Sequence, residues 1–373
     1  MEYLSEILAL AEAGSTGDRK KAFSYASLLA DKLEKAGELK AAKRLRRILQ
    51  GSNRGSIVNL ERMPVDSESR LSLADESFIL PEQVDVFFSD SVMEQIEEFI
   101  IHAGAADKFL AAGLELSSSL LLFGPPGCGK TELARFIAGR LGLPLMTARV
   151  DTLISSFLGS TSKNIRLLFD HVAAMPCVLL LDEFDALAKL RDDRLELGEL
   201  KRVVVSLLQN LDKLSPERVL IAATNHEHLL DPAIWRRFAY RVHIPLPNTI
   251  ARVQMFSHFL ELDPASREVA KLAEAANGLS GSDIKRICDR ARRIALVEQD
   301  ERRGVIEAFR GVLLQAVGNT EDATPSDLIL RAKDLSPDVY SHRILGEIFE
   351  MTPGNITHIL RRHGSKESSN ERK

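Results

Sequence analysis

The chain has 373 residues, 45% hydrophobic and 27% charged, with a net charge of −4; this is room for two or three globular domains and excludes a chain-wide affinity for nucleic acid or for a membrane surface, though not a local basic patch. No apolar run approaches the roughly 18 residues that a membrane span needs, and Met1-Glu2-Tyr3-Leu4 does not open a basic-then-apolar secretory signal. Cys128, Cys177 and Cys288 are scattered and odd in number, which argues against a disulfide framework or a cysteine-based zinc site and for a cytoplasmic protein.

In chain order, residues 2–13 and 18–49 read as helices. Leu4, Ile7, Leu8 and Ala11 share one face, and Ala22, Tyr25, Ala26, Leu29 and Leu33 continue the pattern. Gly14 to Gly17 and Gly37 punctuate them, so residues 1–50 are expected as a small bundle of two or three helices. A unit of that size is marginal alone and is expected to dock on its own chain or on a partner. Residues 51–79 read as a linker, rich in Ser, Gly, Asn and charge. Residues 80–249 alternate strand and helix signals, the pattern of a parallel sheet between helical layers. Strands are expected at 119–123, 145–149, 177–181, 218–223 and 241–244, and the unbroken apolar runs at 178–181 and 219–223 suit strands covered on both faces. Residues 250–335 read as mostly helical. Residues 336–373 read as a helical hairpin followed by a polar, disordered tail from Ser365.

Four segments carry chemistry. The first is Gly124-Pro125-Pro126-Gly127-Cys128-Gly129-Lys130-Thr131, directly after the apolar run Leu120 to Phe123. Glycines there let backbone N–H groups cradle phosphate oxygens, Lys130 supplies positive charge, the Thr131 hydroxyl suits Mg²⁺, and the helix that follows, with Glu132 in its first turn, aims its positive end at the same anion. The second is Asp182-Glu183 after the strand at 177–181. An acidic pair after a strand is commonplace alone. Downstream of a phosphate loop, Asp182 suits the metal and Glu183 suits activation of water. The third is Asn225 at the end of the strand 218–223, placed either to hydrogen-bond the attacking water or to make a simple turn before His226. The fourth is Arg236-Arg237, either a solvated face or a pair that donates charge to a neighbouring subunit's γ-phosphate.

With these four in order, residues 80–300 resemble the AAA family of ring-forming ATPases. The motifs that carry the resemblance are the phosphate loop, Leu-Leu-Asp-Glu-Phe-Asp at 180–185, Ala-Ala-Thr-Asn at 222–225, Leu-Asp-Pro-Ala-Ile-Trp-Arg-Arg-Phe at 230–238 and Gly-Leu-Ser-Gly-Ser-Asp at 278–283. The resemblance implies a P-loop αβα subdomain and a helical lid with ATP and Mg²⁺ between them, and a homo-oligomer, a hexamer by analogy. It also places Gly281 and Ser282 near the adenine, although the same stretch reads locally as a helix cap before Ile284. The wording is closest to katanin- and spastin-type ATPases and to bacterial AAA proteins with a short helical N-domain, some encoded beside a subtilisin-like protease, which makes such a protease a candidate partner. Phe157-Leu158-Gly159 resembles the pore triplet with which such rings grip a protein client; the plainer reading makes Phe157 a core residue at a strand–helix junction. A second pore-facing loop falls at 188–199, equally readable as solvated. The segment Val84 to Phe88 lacks the glycine that relatives carry there, so the sequence does not place the residues that frame the base.

A rival reading comes from residues 343–363, which scan as helix, turn, helix with Ile344, Leu345 and Ile348 facing Ile356, Ile359 and Leu360. Thr357, His358, Arg361 and Arg362 on the second helix resemble a DNA reader. A plain αα-hairpin closing the lid fits the same residues.

Overall fold

The computed structural model describes residues 26, 29, 30, 32, 33, 41–46, 64–66, 72–114, 117–153, 158–174, 176–185, 206–214, 218–230, 232–318 and 323–370. The chain divides into two compact units, 1–63 and 64–373. In the first, the described positions are helical, and Ala26, Ala30 and Ala42 are buried. The helix expected at 2–13, and much of that at 18–49, lies outside the described residues.

The second unit is built on a six-stranded sheet of order β1-β3-β4-β5-β2-β6. Its strands are β1 (Ala74–Ser77), β2 (Ser119–Phe123), β3 (Leu145–Ala148), β4 (Val178–Leu181), β5 (Val219–Thr224) and β6 (Tyr240–His243). β2 to β6 are mutually parallel where paired. Helices α1 (Asp90–Gly104), α2 (Lys130–Leu141) and α3 (Leu158–Ala174) belong to the crossover segments around it. Leu120, Leu121, Leu122 and Val178 to Leu180 have no exposed surface. This is why these strands read as continuous apolar runs: neither face meets water.

β1 departs from expectation. Ala74 to Ser77 fell within the stretch read as a linker, yet they pair antiparallel with β3, Ala74 opposite Ala148 and Ser77 opposite Leu145. Asp75, Glu76 and Ser77 are exposed. An edge strand needs one paired side and little burial, and acidic residues on it discourage pairing with another chain, so no hydrophobic alternation marks it.

Beyond β6 the chain is helical: α4 (Thr249–Leu260), α5 (Arg267–Ala275), α6 (Gly281–Glu298), α7 (Glu301–Val317), α8 (Pro325–Leu335), α9 (His342–Phe349) and α10 (Pro353–Asn370). Side-chain caps fix the starts. Asn248 accepts from the Ala251 amide, Ser266 from Val269, Ser280 from Asp283, Thr324 from Asp327 and Ser341 from Ile344; each satisfies an orphan N–H that the helix cannot. One apolar core runs from Met255 and Phe256 of α4 through Ile284, Phe309 and Ile329 to Leu345, Ile348 and Ile356. The hairpin α9–α10 therefore closes the core of this C-terminal helical region, and Ile359 and Leu360 pack against it half-buried. α10 also continues to Asn370, into the stretch expected as a disordered tail.

Candidate active site

The sheet order sets β4, β5 and β2 side by side, so Leu181, Thr224 and Phe123 end together at the carboxyl edge, where open parallel sheets bind ligands. From Phe123 the chain turns through Gly124, Gly127 and Gly129, at φ of 142°, 73° and 90°, into α2. Two of these glycines also have close neighbours where a Cβ would sit. A Cβ on Gly124 would lie 2.2 Å from the Ile244 carbonyl oxygen, and one on Gly127 would lie 2.2 Å from the Ser282 Oγ.

Lys130 is buried, and its Nζ donates to the carbonyls of Gly124 and Pro125, each at 2.8 Å. Burial pulls its pKa below the usual ammonium value. The Thr131 hydroxyl donates to Asp182 Oδ2 at 2.7 Å, and Asp182 Oδ1 accepts from the Glu183 amide at 2.9 Å. A hydroxyl and a carboxylate in contact are hard oxygen donors of the kind Mg²⁺ prefers. Glu183 is exposed, with φ of 49°. A left-handed backbone is unusual for a residue with a Cβ, and such strain tends to cluster at functional sites.

Asn225 follows β5, half-buried, inside a brace that sequence reasoning did not assign. Thr224 Oγ1 donates to Asp185 Oδ1 at 2.9 Å and accepts from the His226 amide at 3.0 Å. Both Thr224 and Asp185 are buried, so the bond ties the end of β5 to the turn after β4. The signal lay in the acid that follows Phe184 in the second motif.

Arg236 and Arg237 are exposed in a turn between the short helix Pro232–Trp235 and β6. Ile234 and Phe238, each 1% exposed, anchor the turn on both sides. The Arg237 guanidinium lies 3.0 Å from Asp212.

The start of α6 rests on the phosphate loop. The Ser282 amide donates to the Gly127 carbonyl at 3.0 Å, and a Cβ on Gly281 would meet that same oxygen at 3.3 Å. The cap expected here is real, but it is Ser280, with Asp283 closing the reciprocal bond. Beside this contact is a mostly apolar pocket that the sequence did not reveal, lined by Phe88, Val92, Cys128, Leu246, Ala251 and Met255 among others. It draws on the segment before α1, the phosphate loop and the passage into α4, three stretches distant in sequence. Burial pushes the Cys128 thiol pKa up, so it meets the pocket as a small apolar wall.

Residues 120–246 match the model of the family described as ATPase family associated with various cellular activities (AAA). This chain carries an AAA ATPase domain. Over 198 residues it is 44% identical to an uncharacterized AAA family ATPase, y4kL, of Sinorhizobium fredii; the shared part takes in 52% of this chain and 59% of the relative's length. The AAA domain's α3 begins with Leu158 and Gly159. Phe157 and residues 188–199 lie outside the described residues, so of Phe157-Leu158-Gly159 the structure describes the backbone of the last two only. On α10, Thr357 is half-buried, donates to the Pro353 carbonyl at 2.9 Å and lies 3.3 Å from His342, while His358, Arg361 and Arg362 are exposed. Among the described residues no helix is long and apolar enough to cross a membrane.

Proposed function

We propose that the protein hydrolyses ATP with Mg²⁺ as a ring, a hexamer by family resemblance, and spends the cycle on remodelling protein clients. The observation that carries the ATPase reading is the 2.7 Å contact of Thr131 with Asp182, which joins the phosphate loop to the acidic strand end in one constellation. Lys130 and the loop amides hold the β- and γ-phosphates. Thr131 and Asp182 would hold Mg²⁺, which would neutralise phosphate charge. Glu183 accepts the proton of the attacking water, Asn225 orients that water, and Arg236 and Arg237 complete a neighbouring subunit's site. The apolar pocket at Phe88, Cys128 and Met255 takes the base, and Gly281 and Ser282 bring the lid against the same loop. Glu183→Gln tests the assignment: ATP affinity remains and turnover is lost. Normal turnover in that variant refutes the assigned base.

The client reading rests on the resemblance at Phe157-Leu158-Gly159, since an aromatic side chain grips any polypeptide by apolar contact. The N-terminal helices select the client or a partner such as a subtilisin-like protease. A DNA-associated role competes with it because α10 exposes His358, Arg361 and Arg362. Steady-state hydrolysis titrated with an unfolded polypeptide, and separately with duplex DNA at fixed salt, divides them. Stimulation by polypeptide that Phe157→Ala abolishes supports remodelling. Stimulation by DNA alone, lost in the pair Arg361→Glu and Arg362→Glu, refutes it. Deleting 338–373 is the wrong probe, because Leu345, Ile348 and Ile356 are lid core.

A further inference from the structure

Ser119 opens β2, the strand that delivers the phosphate loop, and is 5% exposed. Its hydroxyl donates to the Arg237 carbonyl at 3.1 Å. It accepts from the Ala239 amide at 3.0 Å and from the Ser117 hydroxyl at 2.9 Å. One donor and two lone pairs are all a serine hydroxyl has, so each is used here. Two of the three bonds flank Phe238, which is itself 1% exposed. The peptide groups on both sides of Phe238 are thus stapled to the first residue of a buried strand. The Arg237 side chain leaves from the stapled unit and meets Asp212 at 3.0 Å.

We infer that Ser119 is a positioning residue for the arginine pair: it fixes the backbone from which Arg237 reaches a neighbouring subunit's γ-phosphate. The inference rests on the reading of Arg237 as acting across an interface. Ser119 touches no phosphate; it acts by removing the freedom of the turn that carries the guanidinium. Charge that must arrive at one point loses effect quickly when its mount moves, and misplacement by about 1 Å costs up to roughly a hundredfold.

Mixed assemblies test this. Lys130→Ala subunits keep the arginine but do not bind ATP productively, and Arg237→Ala subunits keep the site but lack the arginine. Phosphate release from their mixture, above the sum of each alone, is the reference recovery. Ser119→Ala is then added either to the Lys130→Ala donor or to the Arg237→Ala acceptor. The expected result is a recovery reduced by about 10- to 100-fold when the substitution is in the donor, since it removes both bonds that staple the turn and each is worth roughly 3- to 10-fold, and unchanged when it is in the acceptor. Because both arms carry the same substitution, general loss of folding lowers both, and equal loss in the two arms overturns the inference. Undiminished recovery with the substituted donor overturns it as well. No reference recovery overturns the interface reading itself, and the inference with it.

Discussion

Glu183→Gly separates strain from chemistry at the end of β4. Glu183 sits at φ of 49°, a region that costs an L-residue about 1–2 kcal/mol. Glycine enters it freely but loses about 0.5–1 kcal/mol more backbone entropy on folding than a residue with a Cβ. The balance favours glycine by about 0–1.5 kcal/mol. No hydrogen bond is forfeited in the folded state on the backbone side, since the donor to Asp182 Oδ1 is the residue 183 amide. For a protein of this size the midpoint of thermal unfolding rises by about 2 °C at most. Turnover moves the other way, by the roughly 10²- to 10⁴-fold that a general base contributes. Glu183→Gln is the partner control: the same backbone strain, an unchanged midpoint, and the same loss of turnover. Differential scanning calorimetry and steady-state phosphate release read the two quantities on the same samples. A Glu183→Gly protein that melts several degrees below the parent refutes the strain argument, and one that still turns over refutes the catalytic assignment.

Gly124→Ala is expected to abolish measurable ATP affinity, because the added Cβ would sit 2.2 Å from the Ile244 backbone carbonyl oxygen at a φ of 142°; titration with a fluorescent ATP analogue reads this, and affinity within a few-fold of the parent refutes it. Leu345→Ala is expected to lower stability by about 2–5 kcal/mol, the range for emptying a buried leucine site, since Leu345 has no exposed surface in the lid core; denaturant unfolding checks it. Glu347→Gln is expected to destabilise at neutral pH and to converge on the parent in acid. Burial pushes the Glu347 carboxyl up, but hydrogen bonds from Arg302, at 2.7 and 3.0 Å, and from Arg343, at 3.0 Å, together hold it below its ordinary value. A depressed carboxyl stabilises above its unfolded pKa of about 4.3 and loses that contribution as pH falls through the folded value. Melting curves from pH 7 down to pH 3 test this, and a difference that persists undiminished at the acid end refutes it.

The parts of the site that were legible in the sequence are those in which the chemistry and its support are contiguous. The phosphate loop announces itself because turn, amides, lysine and helix start are one run of residues. Asp182 and Asn225 could be attached to it because each ends a strand whose burial on both faces leaves an apolar signature. The strand β1 gave no such signature, being polar, short and paired on one side. The apolar pocket stayed hidden for a different reason: Phe88, Cys128 and Met255 come from separate segments, and no spacing rule relates them. The hairpin α9–α10 was legible as a hairpin, with closure of the helical region one of the two readings it allowed. Ile344, Leu345 and Ile348 promise burial without saying against what, and the answer, the core of the lid, depends on α7 and α8 lying alongside.

β2 concentrates several of these roles in a short stretch of chain. At its carboxyl end Phe123 leads into Gly124 and the glycine-rich loop; at its amino end Ser119 holds the turn carrying Arg237. Between them Leu120, Leu121 and Leu122 are completely enclosed, paired with β5 on one side and β6 on the other. A strand packed that tightly does not stretch or bend to absorb a displacement. The lid adds a third connection, since Ser282 bonds to Gly127 only a few residues past the strand, and Arg252 ties the Pro247 carbonyl, at the approach to the lid, to Ala273 of α5. The loop is therefore joined to the helical region through Ser282, while the turn that carries Arg237 is held at the opposite end of β2. If Arg237 acts across an interface as proposed, a subunit's own site and the turn that carries this arginine share one stiff strand.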